Sequence, residues 1–577
     1  MASAVPRGLL TMLARCAAGA LLSCSTAHSP ETNSIGGSPP AISGAGSGNQ
    51  AGSLTGSGND GGSAGADTTA ALTQLLPARI RRLATSEYDA TVHALLSTAQ
   101  SPASAADFPP DLRQDGFTVN DAQRVDAVII ERLADAAEVL ASEAARNGSL
   151  ARLAPCPNDV DAIRCAEDFI TSFGARMYRR PLSHEEQSAL ETLYAIGAEG
   201  STYLDGIVQV TRGLLQSAGF LYLTELGDGT ARSGAHVELT QDELATSLSY
   251  FLTSGPPDEE LLAKAAIGAL SDPAEREAEA RRIFRSNPLA KETAVRLVRE
   301  WLGIDAIADS AKDSLIYPEF EQLKPKIVAE SVDFVRAVAF ESKGTVSELF
   351  NATWTVNSGP LSLYTTVGPG PIEGTSTLLG RVGVLNQAAF LATYANAHES
   401  HPIFRGVAVA RRVTCYPLDS PASFNLQVVA PAPDPSKTTR ERFSVHPADG
   451  ICAGCHDVID PYGFSFEHFD GMGAYRTQEH GRAVDSSVVV KVQGDLAGAY
   501  VDGNQLGAAL ARSDSVRECF ARFMYRAASA TGDSAATPGE TEFVDLWRNS
   551  PLGAQGNIVE TLIAYVKNPT FTTRWSP

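Results

Sequence analysis

Long apolar runs are nearly absent from this sequence. After residue 24, no segment approaches the 18 or more apolar residues that a membrane-spanning helix needs. Basic residues are also few, 46 against 67 acidic ones, which gives a formal charge of −21. Such an acidic chain argues against a nucleic-acid partner and favours solubility or electrostatic docking to a basic partner.

The patterns that would name a familiar enzyme class are missing as well. We find no nucleophile–base–acid set, no phosphate-binding loop and, apart from the C-x-x-C-H motif described below, no cluster of metal ligands. His398 and His401 flank Glu399 and Ser400, but a zinc-protease helix needs two histidines four residues apart with glutamate beside the first. Here the histidines are three apart and a proline follows, so this segment does not predict a metal site.

Residues 1–24 are similar to a bacterial lipoprotein signal. Arg7 precedes an apolar run that ends in Leu-Leu-Ser-Cys at Cys24. Arg15 interrupts the run, so an ordinary secretory signal is the alternative. Either kind of signal predicts export to the periplasm or cell surface. A lipoprotein signal further predicts a lipid on Cys24, which would anchor the protein to a bacterial membrane and be its only membrane contact.

Residues 25–74 are mostly Gly, Ser, Ala, Asn, Thr and Pro. This composition cannot bury enough apolar surface to offset chain entropy, and it predicts a disordered tether. The spacing of apolar residues after it predicts a mainly α, multi-domain body. Helix starts are indicated by Ser183 with Glu186, and by Asp272 before a proline.

Changes in composition and periodicity divide the chain into seven parts. They are a signal peptide (1–24), a linker (25–74), an N-terminal helical module (75–150), a second helical module (151–230), a central helical module (231–365), a module that contains a C-x-x-C-H run (380–480) and a C-terminal helical module (490–577). Two local expectations are a first helix over Arg79–Leu96 and a loop or short β excursion between Trp354 and Gly380.

The most informative motif is Cys452-Ala453-Gly454-Cys455-His456. Two thiols at this spacing can both reach the vinyl groups of a haem, and the following histidine can bind the iron. The motif therefore predicts one covalent haem c, with His456 as proximal ligand, and makes residues 380–480 the predicted haem-bearing module. A polar loop precedes it, and Asp460-Pro461-Tyr462-Gly463 predicts a turn after it.

Other uses of the two cysteines fit the sequence less well. A zinc site would need a second C-x-x-C, which the chain lacks. A thioredoxin-like pair would sit at a strand-to-helix junction, whereas a polar loop and a predicted turn flank the motif here. A disulfide or another metal site stays open as an alternative.

The sixth iron ligand is left open by the sequence. Met472, in a Gly-Met-Gly loop, is preferred over Met524, and His468 is a further choice together with His446 and His480. A packing role is the alternative for both methionines.

Four cysteines are left once the signal peptide, the lipidation site and the haem motif are set aside. Cys156, Cys165, Cys415 and Cys519 form an even set, which suggests two disulfides in an oxidising compartment. Three pairings are possible. We prefer Cys156 with Cys165 and Cys415 with Cys519, and free thiols are the alternative.

The haem motif and its surroundings resemble a known family. The run RERFSVHPADGICAGCHDVIDPYGFSFEHFDGMGAYR is similar to the planctomycete-type cytochrome c-like proteins, which link several domains of unknown function. Further runs are similar to its other modules in the same order: RRLATSEYDATVHALL, FGARMYRRPLSHEEQSAL, LSYFLTSGPPDEELL, RVGVLNQAAFLA, FRGVAVARRVTCYPL and QLGAALARSDSVRECFARFMYR. The resemblance covers most of residues 79–577 and implies an exported c-type haem protein, without naming a substrate.

Carried over residue by residue, the resemblance assigns Cys452, Cys455 and His456 to haem attachment. The loop after them matches at Asp460, Pro461, Gly463, Phe466, Glu467, Phe469, Asp470, Gly473 and Arg476. Arg476 is a candidate to pair with a haem propionate, or with Glu467 or Asp470.

The sequence therefore favours an exported, tethered c-type cytochrome-like protein that transfers electrons to or from a redox partner protein, and the acidic chain is suited to a basic one. A haem enzyme, peroxidase-like or oxidising an extracellular polymer, is one alternative. A cell-surface binding lipoprotein, in which haem is structural or absent, is the other.

Overall fold

The chain folds mainly into α-helices, as the sequence predicted, with five small antiparallel sheets among the residues that the structure describes. This computed structural model describes residues 75–98, 102–157, 160–230, 232–419, 430–444, 450–491, 494–531, 537–551 and 553–577. The predicted signal peptide, the linker, Cys24 and His446 lie outside these ranges. Over the described ranges, no helix combines the length and the apolar character needed to cross a membrane.

The first hydrophobic core is built by helices from the N-terminal third of the chain. The helices are α1 (Thr85–Leu96), α2 (Pro102–Ala105), α3 (Ala127–Arg146), α4 (Ser149–Leu153), α5 (Ala162–Tyr178), α6 (His184–Ala198), α7 (Tyr203–Leu215) and α8 (Ala218–Leu221). Their apolar faces meet in one cluster that runs from Tyr88 to Leu221.

The predicted first helix is wrong at its start. Arg79–Arg82 is a strand, β1, which pairs antiparallel with β2 (Tyr222–Glu225), and α1 begins only at Thr85. The partner strand lies more than 140 residues along the chain, from Arg79 to Glu225. Local periodicity carries no information about such a distant partner.

The second core is larger and is shared by the rest of the chain. Its helices are α9 (Gln241–Thr253), α10 (Glu259–Ala266), α11 (Pro273–Ser286), α12 (Pro288–Leu302), α13 (Phe320–Glu341), α14 (Val346–Asn351), α15 (Ala388–Thr393), α16 (Pro402–Ala408), α18 (Gly450–Phe464), α19 (Gly503–Leu510), α20 (Asp514–Ser529), α21 (Glu540–Arg548) and α22 (Ile558–Lys567). The short helix α17 (Thr439–Phe443) instead packs through Phe443 in a small cluster with Phe464 and Val488. Buried side chains from the predicted central, haem-bearing and C-terminal modules join in this one cluster. These modules are therefore packed on one another.

Helix starts follow the capping signals in the sequence. The hydroxyl of Ser183 accepts a hydrogen bond from the backbone N–H of Glu186, whose carboxylate accepts from the N–H of Ser183. The carboxylate of Asp272 caps α11, and a proline occupies the first position of that helix. Both starts are confirmed, because a cap depends on residues three or fewer positions apart.

The β excursion between Trp354 and Gly380 is also confirmed. It is a three-stranded sheet in the order β4 (Trp354–Val356), β6 (Thr375–Leu379), β5 (Thr365–Pro369). The remaining strands are short pairs: β3 (His236–Glu238) with β11 (Thr573–Trp575), β7 (Gln478–Glu479) with β8 (Arg482–Ala483), and β9 (Val488–Val490) with β10 (Gly498–Tyr500).

Two disulfides form, with the preferred pairing. Cys156 bonds to Cys165 nine residues later, and Cys415 bonds to Cys519 across 104 residues. The second bond joins the chain just after α16 to helix α20. Disulfides of this kind are typical of proteins from oxidising compartments.

A buried carboxyl group lies between α13 and the three-stranded sheet. Glu330 is fully buried and accepts hydrogen bonds from the hydroxyls of Thr355 and Tyr364, each at 2.5 Å. Burial raises the pKa of Glu330 from 4.5 to about 7, although the two hydroxyls and Arg381 oppose the shift. The folded protein therefore holds this proton more tightly than the unfolded chain.

This proton predicts a pH dependence of stability. Because the pKa of Glu330 is raised in the fold, its contribution is fully present below pH 4.5 and is lost as the pH rises through about 7. As the pH rises over that range, we expect the wild type to lose about 3 kcal/mol of unfolding free energy relative to the Glu330→Gln variant. Urea unfolding of both proteins at several pH values measures it; parallel pH profiles would contradict the assignment.

Candidate functional site

The two motif cysteines and the histidine lie on one helix. Cys452, Cys455 and His456 all belong to α18, with all three side chains partly exposed. Residues three or four apart in an α-helix share a face, so Cys452 lies beside both Cys455 and His456. Neither thiol is in a disulfide. The helix thus presents two free thiols and an imidazole within about one turn.

The turn predicted after the motif is wrong. Asp460-Pro461-Tyr462-Gly463 belongs to the last part of α18, although proline in a helix interior removes a hydrogen bond and usually breaks the helix. The adjacent helix α16 explains why the segment stays helical. A methyl group on Gly463 would collide with the carbonyl oxygen of Pro402, and one on Gly406 with that of Ile459. The two helices cross this closely because both contacts are made by glycine.

Arg405 of α16 fixes the loop that follows α18. Its guanidinium is fully buried and donates hydrogen bonds to four backbone carbonyls, those of Leu391, Phe466, Phe469 and Asp470, at 2.6–3.2 Å. Burial lowers the pKa of Arg405 to about 10, against the charge of Glu467. The loop therefore takes its shape from an arginine about 60 residues earlier in the chain.

His456 is held by a carboxylate one helical turn later. Its Nδ1 lies 2.7 Å from Oδ1 of Asp460, which is 8% exposed. A carboxylate that accepts a hydrogen bond from an imidazole fixes the tautomer and orientation of the ring and makes it a stronger electron donor to a metal. Asp460 is thus the residue that orients the ring of His456.

The candidates for a sixth ligand occupy different surroundings. Met472 follows α18 in the loop that Arg405 fixes, is 8% exposed, and belongs to the larger core. Met524, on α20, is buried in the same core. His468 pairs through Nδ1 with the carbonyl oxygen of Arg476 and stacks on Tyr475. Each of these three side chains has a packing role, and the assignment of a sixth ligand stays a prediction.

Arg476 forms ion pairs inside the protein. It donates to Glu467 at 2.9 Å and to Glu479 at 2.8 Å, and also to the hydroxyl of Ser400. Of the carboxylates proposed for it, Glu467 is therefore a partner. Asp470 accepts from the backbone N–H groups of Met472 and Ala474 instead. A contact of Arg476 with a haem propionate stays a prediction.

The histidine pair before α16 has a structural use. His401 caps α16 by accepting from the N–H of Phe404 and stacks on the ring of that residue. Burial, together with the nearby charge of Arg405, lowers the pKa of His401 to about 4. His398 lies 3.4 Å from Asp313. Over the part of the chain that the structure describes, no group of three or more His, Cys, Asp or Glu residues is placed to hold a metal ion.

Sequence reasoning missed the contact of Asp460 with His456 and the role of Arg405. The spacing of His456 and Asp460 is i, i+4, which would have indicated their contact had the segment been predicted as a helix. No sequence signal marks Arg405, since its acceptors are backbone carbonyls from two separate segments, α15 and the loop after α18.

Four protein-family models match the chain in sequence order. They are PSD3, a protein of unknown function (DUF1587), at residues 81–146; PSD5, a protein of unknown function (DUF1595), at 165–225; PSD4, a protein of unknown function (DUF1592), at 239–364; and PSCyt3, a protein of unknown function (DUF1588), at 381–479. The last match includes α18 and the loop after it. No curated protein and no solved structure matches the chain.

Proposed function

Because the chain belongs to the planctomycete-type cytochrome c-like multi-module family, we propose that it is an exported electron-transfer protein that holds one covalent haem c. The observation that carries the proposal is the helix α18, which presents two free thiols and His456 within about one turn. Haem, when bound there, supplies one-electron redox chemistry.

The residues present fit this group. Thioether bonds need thiols that are free and reachable, and Cys452 and Cys455 are both unpaired and partly exposed. The iron would be bound through Nε2 of His456, the ring nitrogen opposite the one that faces Asp460. The close pairing of α16 with α18 holds the helix in place, so the ligand side chain starts from a fixed backbone.

Charge and compartment support the rest of the proposal. A formal charge of −21 favours a basic redox partner and disfavours nucleic acid. The two disulfides agree with folding outside the cytoplasm. We propose that the signal segment directs export and that a lipid on Cys24, followed by the Gly/Ser-rich linker, tethers the body to a bacterial membrane at the periplasmic or cell-surface side.

The test uses protein purified from a host that matures haem c. Electron transfer is supported if the reduced protein is oxidised by a basic acceptor protein at a rate that falls as salt screens the attraction. The proposal fails if the protein carries no haem while a control cytochrome matured in the same cells does. It fails also if reduced protein does not exchange electrons with any one-electron acceptor.

A haem enzyme is the second candidate, and Asp460 favours it. A carboxylate partner makes His456 a stronger electron donor, which stabilises oxidised iron and favours peroxide chemistry over electron transfer at high potential. A spectral change on adding peroxide, with turnover of a reducing substrate, would support this candidate; an unchanged spectrum would support the first.

The Asp460→Asn variant measures how strongly the carboxylate acts on the iron. We expect the reduction potential to rise by about 60–120 mV. An outer-shell partner changes the affinity of the ligand for oxidised iron relative to reduced iron by about 10–100-fold, and each factor of ten corresponds to about 59 mV for one electron. The measurement is a spectroscopic redox titration.

The matched control is Asp457→Asn, which removes the same charge one residue after His456. Asp457 is exposed on the same helix, so its loss should move the potential by much less. Equal shifts in the two variants would mean that net charge, rather than the bond to His456, sets the effect.

A further inference from the structure

A small, partly enclosed cavity lies between segments from both ends of the described body, and none of its lining residues belongs to the haem motif. Its volume is about 30 Å³. It is bordered by strands β1, β2 and β11 and by helices α9, α12, α20 and α22, and four arginine side chains line it: Arg79, Arg81, Arg296 and Arg574. One carboxylate, Glu225, lines it as well.

The charges around the cavity do not balance. Arg81 is matched by Glu87 through two hydrogen bonds of 2.7 Å, and Arg296 is matched by Glu300 at 2.9 Å. Arg79 and Arg574, however, share Glu225: both Nε atoms donate to the same oxygen, at 2.9 and 2.8 Å. Their ion pairs therefore leave one positive charge in excess in a largely buried region.

The state of Glu225 agrees with this count. Burial alone would raise the pKa of its carboxyl group, but Arg574 and Arg79 together hold that pKa well below the usual value. Glu225 is thus ionised at all physiological pH values and supplies one negative charge. It cannot neutralise two guanidinium groups.

One donor of Arg79 is left over. The side chain of Arg79 is 10% exposed, and its Nη1 is buried without a hydrogen-bond partner among the described residues. A buried, unpaired donor on a charged group is costly, so a partner at this position stabilises the fold.

We propose that the cavity binds a halide-sized anion, chloride under cellular conditions, with Nη1 of Arg79 as a direct donor. A single water needs about 10–15 Å³, so a cavity of about 30 Å³ has room for a monatomic anion. The excess positive charge distinguishes an anion from water as occupant. The ion then joins β1 to β11, two strands from opposite ends of the described chain.

The first test is thermal unfolding of the full chain at constant ionic strength, with chloride replacing gluconate. An anion bound only by the folded state raises the melting temperature with its concentration, and we expect about 1–3 °C between 1 and 300 mM chloride. Arg79→Met should lose this shift. The matched control, Arg482→Met, removes an arginine whose side chain is 54% exposed and should keep it.

The second test does not depend on the folding of any variant. Crystals of the wild type grown with bromide should show an anomalous peak within hydrogen-bond distance of Nη1 of Arg79. No peak there, no chloride-dependent shift in the wild type, or the same shift in Arg79→Met as in the wild type would each overturn the proposal in favour of water.

Discussion

Replacing Cys452 and Cys455 together with serine is expected to remove all haem that stays with the protein after denaturation. Both thiols are partly exposed on α18 and make no disulfide, so serine can take their places without opening a core. Only the thioether bonds would be lost. The measurement is the absorbance of haem in the denatured, acid-extracted protein.

The control variant removes a different pair of cysteines. Cys156→Ala with Cys165→Ala deletes a disulfide outside the haem-bearing module, and this variant should keep its covalent haem. Covalent haem in the Cys452/Cys455 variant, or its loss from both variants alike, would contradict the assignment of the attachment site.

The second large effect concerns the disulfide from Cys415 to Cys519. Removing it by Cys415→Ala with Cys519→Ala is expected to lower the free energy of unfolding by about 4–5 kcal/mol, because the bond closes a loop of 104 residues. The same loop-closure entropy gives only about 2–3 kcal/mol for the bond from Cys156 to Cys165, which closes a loop of nine residues.

Urea unfolding of the two double variants beside the wild type tests this ranking. The expected order of stability is wild type, then the variant without the short loop, then the variant without the long one. The reverse order would show that local packing at Cys156 and Cys165 outweighs chain entropy in the unfolded state.

The features predicted best from the sequence are those set by neighbouring residues. The caps at Ser183 and Asp272 depend on groups within three positions, and both appear as predicted. The mainly α fold follows from the spacing of apolar residues in the same way. The disulfide pairing was chosen correctly among three possibilities, helped by the short separation of Cys156 and Cys165.

The features predicted worst depend on distant partners. The spacing of apolar residues placed Arg79–Arg82 in the first helix, yet it is a strand that pairs with Tyr222–Glu225. Likewise the segment around Pro461 is helical because Gly406 and Gly463 let α16 and α18 approach closely. Neither interaction can be seen in a local window of sequence.

The candidate site divides in the same manner. Cys452, Cys455 and His456 were found from their spacing alone, whereas Asp460 as the partner of His456 required the helix to be known. The preference for Met472 over Met524 and His468 is still untested. The seven module boundaries likewise stay predictions, although one core joins three of the modules.

The bond from Cys415 to Cys519 has a topological consequence. It makes residues 415–519 a covalent ring, and α18 with both attachment thiols lies inside that ring. A protease that cuts the backbone once between these cysteines opens the ring but releases nothing, so the nicked protein remains a single covalent molecule until a reductant is present. The part of the chain that carries the proposed cofactor is thus retained after damage that would separate a linear array of domains.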